Sequence, residues 1–474
     1  MDDKTLNYLS LIQNGLGPKT GQPQKVIVVG AGMAGLVAAY ELLRAGHDPL
    51  ILEAQGRVGG RILTLREPFA PGLYAEAGAM RLPLAHKLTM AYVEKFNLTT
   101  FPFMMGNPKA FYHLRGHHRR AAEAEADPAS MGYEFADHER GRTVAQLWEE
   151  ALKPIFAKLK AQGEAAWPEI VTEHDQYSVR EFLEKHRWSE DAIELSGLAF
   201  NQESLMNSSF LELLREEVGE CYVNMVQIEG GMDRLPYAFL PTLRDRIRFG
   251  AKLIAIDQTP EAVIVHYHTA AGRMPSLTGD HAILTLPFPV MRHIEVLKPF
   301  SRAKQKAIRQ LHYDASAKIF FQCRRRFWEE DDGIIGGGTI TDLPVRNIYY
   351  SEHDAESGRG ILLASYTWSE DAQRWGSLAP ADRIAQALEN VAVIHPQVTQ
   401  EFEVGVSKMW HDDEFAGGAF ALFDPGQQTL LHEAIIAREG RIHFTGEHTS
   451  LTHAWIQGAI ESGLRAAYEI HQGS

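Results

Sequence analysis

Residues 25–54 read KVIVVGAGMAGLVAAYELLRAGHDPLILEA, and their hydrophobic pattern changes twice. Residues 25–30 form a β-branched run that ends in glycine, which is typical of a buried parallel strand. Residues 33–44 are rich in Ala, Leu and Glu and are followed by Gly46, which predicts a helix with a glycine at its end. Residues 47–54 predict a second buried strand, so the stretch is expected to form a βαβ unit.

The glycines between the first strand and the helix fit the pattern G-x-G-x-x-G at Gly30, Gly32 and Gly35. The first glycine permits a tight turn, the second lets a pyrophosphate approach the backbone, and the third permits close packing of helix on strand. Glu53 ends the second strand, where a carboxylate can accept hydrogen bonds from a ribose diol. A purely structural βαβ unit is the alternative, but the context favours a dinucleotide site.

The same stretch imitates a membrane span, because residues 26–43 are nearly free of charge over about the length that crosses a bilayer. The preceding MDDKTLNYLS begins acidic and lacks the basic region of a signal peptide. The glycine motif accounts for the run as a buried strand and helix, so we expect no membrane association.

The composition excludes several classes of protein. The 474 residues are 45% hydrophobic and 23% charged, as in an ordinary globular protein, and this length suggests about three structural units. The net charge of −14 argues against a nucleic-acid binder. Two cysteines, Cys221 and Cys323, cannot build a zinc site or a disulfide framework, and we expect a cytoplasmic protein. Among 21 histidines only His117 and His118 are adjacent, without the spacing of metal ligands, so no metal site is expected.

Four motifs together resemble the flavin-containing amine oxidase superfamily, and most closely its L-amino-acid oxidases, over about residues 25–470. They are GAGMAGL, LEAQGRVGGR, GGMDRLP and FTGEHTS followed by HAWIQGAIESG. The resemblance implies an FAD cofactor, with Gly446 and Glu447 near its ribityl or pyrophosphate region. Monoamine oxidases that tether FAD use a cysteine in the C-terminal segment. No cysteine follows Cys323 here, so we expect FAD to be bound non-covalently.

Two arginines, Arg57 and Arg61, flank a glycine pair directly after Glu53. The two guanidinium groups and the exposed backbone of the glycine pair are expected to lie next to the pyrophosphate bound at the glycine turn, and a NAD site would not need this second element. The alternative is that both arginines are simply solvated.

The resemblance also identifies candidate substrate contacts. EAGAMRLP, residues 76–83, is similar to the L-amino-acid oxidase segment whose arginine, here Arg81, pairs with the substrate carboxylate. A structural arginine is the alternative, as it would be in a simple amine oxidase. Tyr366 matches a carboxylate-binding tyrosine, and Lys318 matches the lysine that holds a water against flavin N5. Ala454 and Trp455 match the loop that walls the substrate site and meets the carboxylate.

The sequence departs from animal L-amino-acid oxidases where the side chain of the substrate would lie. Arg215 stands where those enzymes have a histidine, Gly219 replaces an aromatic residue, and Trp368 replaces a smaller apolar one. Arg215 could equally belong to a solvated charge cluster with Glu216 and Glu217.

The fold is therefore expected to be α/β, with a discontinuous Rossmann-like FAD-binding domain (residues 25–63, 231–314 and 420–474). A mixed-sheet substrate-binding domain would use residues 64–120 and 315–419, and a helical insertion residues 121–230. The expected catalytic residue is Lys318, and the expected substrate contacts are Arg81, Arg215, Tyr366, Trp368, Ala454 and Trp455. The expected cofactor contacts are Gly30, Gly32, Met33, Ala34, Gly35, Glu53, Ala54, Arg57, Gly60, Arg61, Ala79, Met80, Arg81, Gly446, Glu447, Trp455 and Ile456.

The implied reaction is oxidation of an L-amino acid by dioxygen to a 2-oxo acid, ammonia and hydrogen peroxide, and we expect a homodimer. The alternatives are a flavin monooxygenase that converts the amino acid to an amide, an amine or polyamine oxidase, and a non-catalytic flavin or NAD-binding protein.

Overall fold

A five-stranded parallel sheet, here called the nucleotide sheet, contains the βαβ unit of residues 25–54. The computed structural model describes residues 3–17, 21–352 and 357–473. The predicted first strand, helix and second strand are confirmed as Lys25–Val29, Met33–Arg44 and Asp48–Leu52. In spatial order the strands are Ile247–Arg248, Asp48–Leu52, Lys25–Val29, His281–Leu284 and Ile442–Phe444.

The C-terminal helix Ile456–His471 packs closely against the helix Met33–Arg44. A Cβ atom at Gly463 would lie 2.5 Å from the carbonyl oxygen of Ala34, so the two backbones approach as only a glycine allows. The C-terminal helix begins directly after Trp455, within the motif HAWIQGAIESG.

A second, seven-stranded sheet, here called the substrate sheet, is mixed, as the sequence predicts. Its strand Ser316–Cys323, the second from one edge, is buried along its whole length. This strand ends at Cys323, and a short helix begins at Phe327. In spatial order the strands are Phe402–Met409, Ser316–Cys323, Gly360–Trp368, Asn347–Tyr350, Gly338–Thr341, Phe111–Leu114 and His117–Arg120.

Between residues 121 and 218 the chain is helical, as its spacing predicts. Capping boxes start two of these helices: Thr143 with Gln146, and Ser178 with Glu181. Phe182 and Phe210 stack at 3.7 Å in the centre of this helical insertion. The helices are Ala121–Ala126, Val144–Gln162, Trp167–His174, Val179–Lys185, Glu190–Ala199 and Phe210–Val218.

Smaller sheets and further helices complete the described chain, and the predicted α/β class is confirmed. A four-stranded sheet contains Ser276–Gly279, Val263–His268, Lys252–Gln258 and Glu295–Val296. A three-stranded sheet contains Leu82–Pro83, Met225–Ile228 and Thr100–Pro102. Two further sheets have two strands each: Tyr313–Asp314 with Phe420–Ala421, and Thr64–Leu65 with Ala75–Glu76. The further helices are Asp3–Asn14, Lys87–Lys95, Arg234–Tyr237, Leu240–Leu243, Phe288–Met291, Arg302–Gln310, Phe327–Glu330, Ser369–Gly376, Pro380–Ile394, Val398–Glu401 and Gln427–Ile436. Within the described residues, no helix combines the length and the apolar character needed to cross a membrane.

Gly35 provides a test of the packing of the first helix on its strand. A Cβ atom there would lie 2.0 Å from the carbonyl oxygen of Gly30, which is backbone and cannot swing away. We expect Gly35→Ala to lower the free energy of unfolding by at least about 1–3 kcal/mol, measured by denaturant titration. Gly56→Ala is the matched control, because a Cβ atom at Gly56 has no heavy atom within 4 Å. Equal stability of the two variants would contradict the close approach.

Candidate active site

A cavity of about 790 Å³ lies where the nucleotide sheet, the substrate sheet and the helical insertion meet. Its walls include the glycine turn after the first strand, the buried lysine of the substrate sheet and the helix Phe210–Val218. All three parts of the fold therefore contribute side chains to this cavity.

The end of the cavity nearest the nucleotide sheet has the features of a dinucleotide cradle. Gly30 has a φ of 109°, as a tight glycine turn requires. Gly32 starts the helix Met33–Arg44 without a side-chain cap, and open space lies where its Cβ would be. The first N–H groups of that helix are therefore available to an anion.

Glu53 also lines this end, at the carboxyl end of its strand. Its Oε2 accepts a hydrogen bond from the N–H of Ala31 at 2.7 Å, and its Oε1 accepts one from the N–H of Gln55 at 2.8 Å. Burial raises the pKa of the carboxyl, while these backbone donors oppose the shift. Each oxygen keeps a lone pair, so the fixed carboxylate can still accept hydroxyl groups.

Arg57 does not line the cavity, contrary to its prediction as a cofactor contact. Its guanidinium donates to the carbonyl oxygens of Gly60 at 2.7 Å and Ile62 at 3.1 Å. It therefore folds back on its own loop and holds the glycine pair in shape. Gly35 does not line the cavity either, since its role is the close contact with Gly30.

Arg61 and Glu447 form an ion pair of 2.7 Å at the cavity wall. Arg61 also donates to the carbonyl oxygen of Ala419 at 3.0 Å, and Glu447 accepts from the N–H of Ala454 at 3.1 Å. The resemblance places the backbone of this loop against a substrate carboxylate, and the N–H of Ala454 is already engaged with Glu447. Ala454 has a φ of 63°, so this bond holds a left-handed turn before the C-terminal helix.

Arg81 lies among three aromatic rings. Its Cζ is 5.6 Å from the ring centre of Phe103, 5.8 Å from that of Tyr349 and 5.9 Å from that of Tyr222. Its Nη1 is buried without a hydrogen-bond partner, and no Asp or Glu in the described chain forms an ion pair with it. A cation is thus held at the cavity wall with an unmet demand for an acceptor.

Lys318 lies in the strand Ser316–Cys323 of the substrate sheet, beside Arg81, and is only 1% exposed. Its Nζ donates to the carbonyl oxygens of Glu76 at 3.0 Å and Gly78 at 2.7 Å, which leaves one of its donors unassigned. Burial, helped by the charge of Arg81, lowers its pKa to about 7. Lys318 is therefore a buried amine that can change its charge near neutral pH.

Tyr366 and Trp368 form an aromatic wall at the same place. Tyr366 lies opposite Lys318 in the strand register, and the Lys318 Nζ is 4.4 Å from its ring centre. The rings of Tyr366 and Trp368 are 4.3 Å apart, and both line the cavity.

Arg215 is not where the sequence analysis predicts it, because its side chain does not line the cavity. The guanidinium lies 4.2 Å from the ring centre of Trp167 and donates to Gln428 at 3.1 Å. Neighbouring residues on a helix point about 100° apart, so the next residue, Glu216, faces the cavity instead.

Sequence reasoning missed Glu216 and Tyr222 as site residues. The Glu216 carboxylate accepts from Trp455 Nε1 at 2.8 Å and from the Tyr222 hydroxyl at 2.9 Å. Burial raises its pKa to about 7. The helical periodicity of this segment could have identified Glu216. Leu211 and Leu214 are core positions, and a helix that buries them places Glu212 and Glu216 on another face.

Most of the residues predicted as ligand contacts do line the one cavity. The predicted cofactor contacts that line the cavity are Gly30, Gly32, Met33, Ala34, Glu53, Ala54, Gly60, Arg61, Ala79, Met80, Arg81, Gly446, Glu447, Trp455 and Ile456. The predicted catalytic residue and substrate contacts that line it are Lys318, Arg81, Tyr366, Trp368, Ala454 and Trp455.

The fold resembles solved structures of amine-oxidising enzymes. A triple mutant of putrescine oxidase superposes with a TM-score of 0.78 at 21% identity, over 95% of this chain and 99% of that one. Cyclohexylamine oxidase from Brevibacterium oxydans IH-35A superposes with a TM-score of 0.76 at 18% identity, over the same shares of the two chains.

Sequence identity is higher to proteins that are named L-amino-acid oxidases. "Putative L-amino-acid oxidase YobN" of Bacillus subtilis (strain 168) is 39% identical over 98% of each chain. The L-amino-acid oxidase of Gloydius blomhoffii is 36% identical over 98% of this chain and 92% of that one. The model of the family described as flavin containing amine oxidoreductase matches residues 33–471. The glycine turn, the cavity beside it and these similarities agree, and the chain belongs to the flavin-containing amine oxidoreductase family.

Proposed function

We propose that this oxidoreductase uses non-covalent FAD to oxidise L-amino acids with dioxygen. The products would be a 2-oxo acid, ammonia and hydrogen peroxide. Two relatives that are 39% and 36% identical to this chain bear the name of this activity, and the geometry of the cavity gives an independent reason for it.

Arg81 is the observation that carries the proposal. A guanidinium at the wall of a cavity, with a buried Nη1 that lacks a partner, is suited to a carboxylate brought by the ligand. A simple amine substrate has no carboxylate, so it would leave this cation uncompensated. The site therefore favours an amino acid over an amine.

The nucleotide end of the cavity fits the cofactor. The uncapped helix start at Gly32 would face the pyrophosphate, and Glu53 would accept hydrogen bonds from a ribose. Cys221 and Cys323 are buried and do not line the cavity, which supports non-covalent attachment. Bound flavin would supply a two-electron acceptor for the hydrogen on the substrate Cα and, when reduced, reactivity toward dioxygen.

The protein's own contribution would be orientation and control of water. Arg81 and Tyr366 would hold the substrate carboxylate, which fixes the direction of the Cα–H bond and can contribute several kcal/mol to the rate through orientation alone. The Lys318 donor that is left over would hold a water molecule. Loss of hydride from the neutral amino acid leaves a C=N bond, and water then hydrolyses the imino acid to the 2-oxo acid and ammonia.

The role of Arg81 can be tested by substitution. We expect Arg81→Met to lower kcat/KM for L-amino acids by about 10²- to 10³-fold, because a buried charge-assisted pair with the substrate carboxylate is lost. Steady-state peroxide release measures this effect. Arg215→Met is the control and should leave kcat/KM nearly unchanged, since Arg215 faces Trp167. Unchanged turnover in Arg81→Met would point to an amine oxidase instead.

The products distinguish an oxidase from a monooxygenase. We expect one hydrogen peroxide and one 2-oxo acid for each dioxygen consumed, measured by oxygen electrode, coupled peroxidase and chromatography with catalase omitted. An amide with one carbon fewer as the main product would instead show oxidative decarboxylation.

Acid precipitation can test whether the cofactor is attached covalently. We expect acid precipitation of the purified protein to release all yellow chromophore into the supernatant, where chromatography should identify FAD. Colour that remains in the washed pellet would show a covalent link.

A further inference from the structure

The helix Phe210–Val218 presents two carboxylates to the cavity, Glu212 and Glu216, one turn apart. Glu212 is compensated, because His453 Nδ1 lies 2.8 Å from its Oε1 and the N–H of Phe423 donates to the same oxygen at 2.8 Å. Burial alone would lower the pKa of His453, but the adjacent Glu212 raises it above its usual value. Glu212 therefore already has a basic partner within the protein, one whose protonated form is a cation.

Glu216 has no such cation. Its two hydrogen bonds come from neutral donors, Trp455 Nε1 and the Tyr222 hydroxyl. In the described part of the chain no Lys, Arg or His side chain forms an ion pair with it. The carboxylate is nevertheless held in a defined position, and each of its oxygens keeps a lone pair free.

Glu216 shares a wall of the cavity with Arg81. The Tyr222 ring has Arg81 Cζ at 5.9 Å from its centre, and the hydroxyl of the same residue donates to Glu216. Arg81 and the Glu216 carboxyl are thus both neighbours of Tyr222, the first near its ring and the second at its hydroxyl. A ligand whose carboxylate lies on Arg81 would extend along this wall toward Glu216.

We propose that Glu216 selects L-amino acids with a cationic side chain, an inference that rests on the proposed function. An apolar side chain packed here would remove water from the carboxylate without replacing its hydrogen bonds, which is unfavourable. An ammonium or guanidinium group would instead form a charge-assisted hydrogen bond with it. The helical insertion also lines the cavity with the polar residues Gln202, Ser208 and Ser209, together with the apolar residues Val179, Leu205 and Leu213.

Pairs of substrates with nearly the same shape and different charge test the proposal. We expect the wild-type holoenzyme to show at least tenfold higher kcat/KM for L-lysine than for L-norleucine, and for L-arginine than for L-citrulline. Glu216→Gln should lower kcat/KM for the cationic member of each pair by about 10- to 100-fold and should not lower it for the neutral member, since the carboxylate that a neutral side chain would desolvate is gone. Glu216→Asp, which keeps the charge, should retain part of the preference.

Glu217→Gln is the matched control, because this neighbouring carboxyl also has a pKa raised by burial but does not line the cavity. It should leave the ratios unchanged, and the flavin content of each variant shows that it is folded. Equal kcat/KM within each wild-type pair would overturn the proposal, as would an equal loss on all four substrates in Glu216→Gln. Failure of the proposed function has a different signature: no L-amino acid of either charge would bleach the flavin anaerobically.

Discussion

The carboxylate of Glu447 joins three distant parts of the chain. It pairs with Arg61, which follows the second strand of the nucleotide sheet, and accepts N–H groups of Ala421 and Ala454. The two partners of the ion pair are 386 residues apart in sequence. Because Glu447 is only 5% exposed, loss of either charge would leave the other buried and uncompensated, which is strongly destabilising. The cavity wall between nucleotide and substrate ends depends on this contact.

Local patterns predict the nucleotide end of the site well. The strand, glycine turn and helix of residues 25–44 are each specified by adjacent residues, so Gly30, Gly32 and Glu53 could be placed from sequence alone. Arg57 could not, because a guanidinium on a flexible stem reaches either a ligand or the carbonyl oxygens of its own loop. The local sequence does not distinguish these two choices, which depend on the fold around the loop.

The substrate end is harder to predict, because its residues come from segments without a shared local motif. Lys318 and Tyr366 meet through the pairing of two strands, and Glu216 meets Trp455 across the helical insertion. The resemblance placed Arg215 at this wall, but its guanidinium lies against Trp167 and Glu216 lines the cavity, so the charge on that wall is the reverse of the expected one. The resemblance to L-amino-acid oxidases supplied the position along the chain but not the direction of the side chain.

The order of strands in the nucleotide sheet has a consequence for synthesis of the protein. Strands near the N-terminus emerge first from the ribosome, yet the edge strand Ile442–Phe444 and the helix that covers Met33–Arg44 come from the last part of the chain. Until those residues have left the exit tunnel, an apolar face of the first helix stays uncovered and the cofactor cradle lacks Gly446 and Glu447. Such surfaces bind chaperones or aggregate. The cradle is therefore complete only when the last part of the chain has been synthesised.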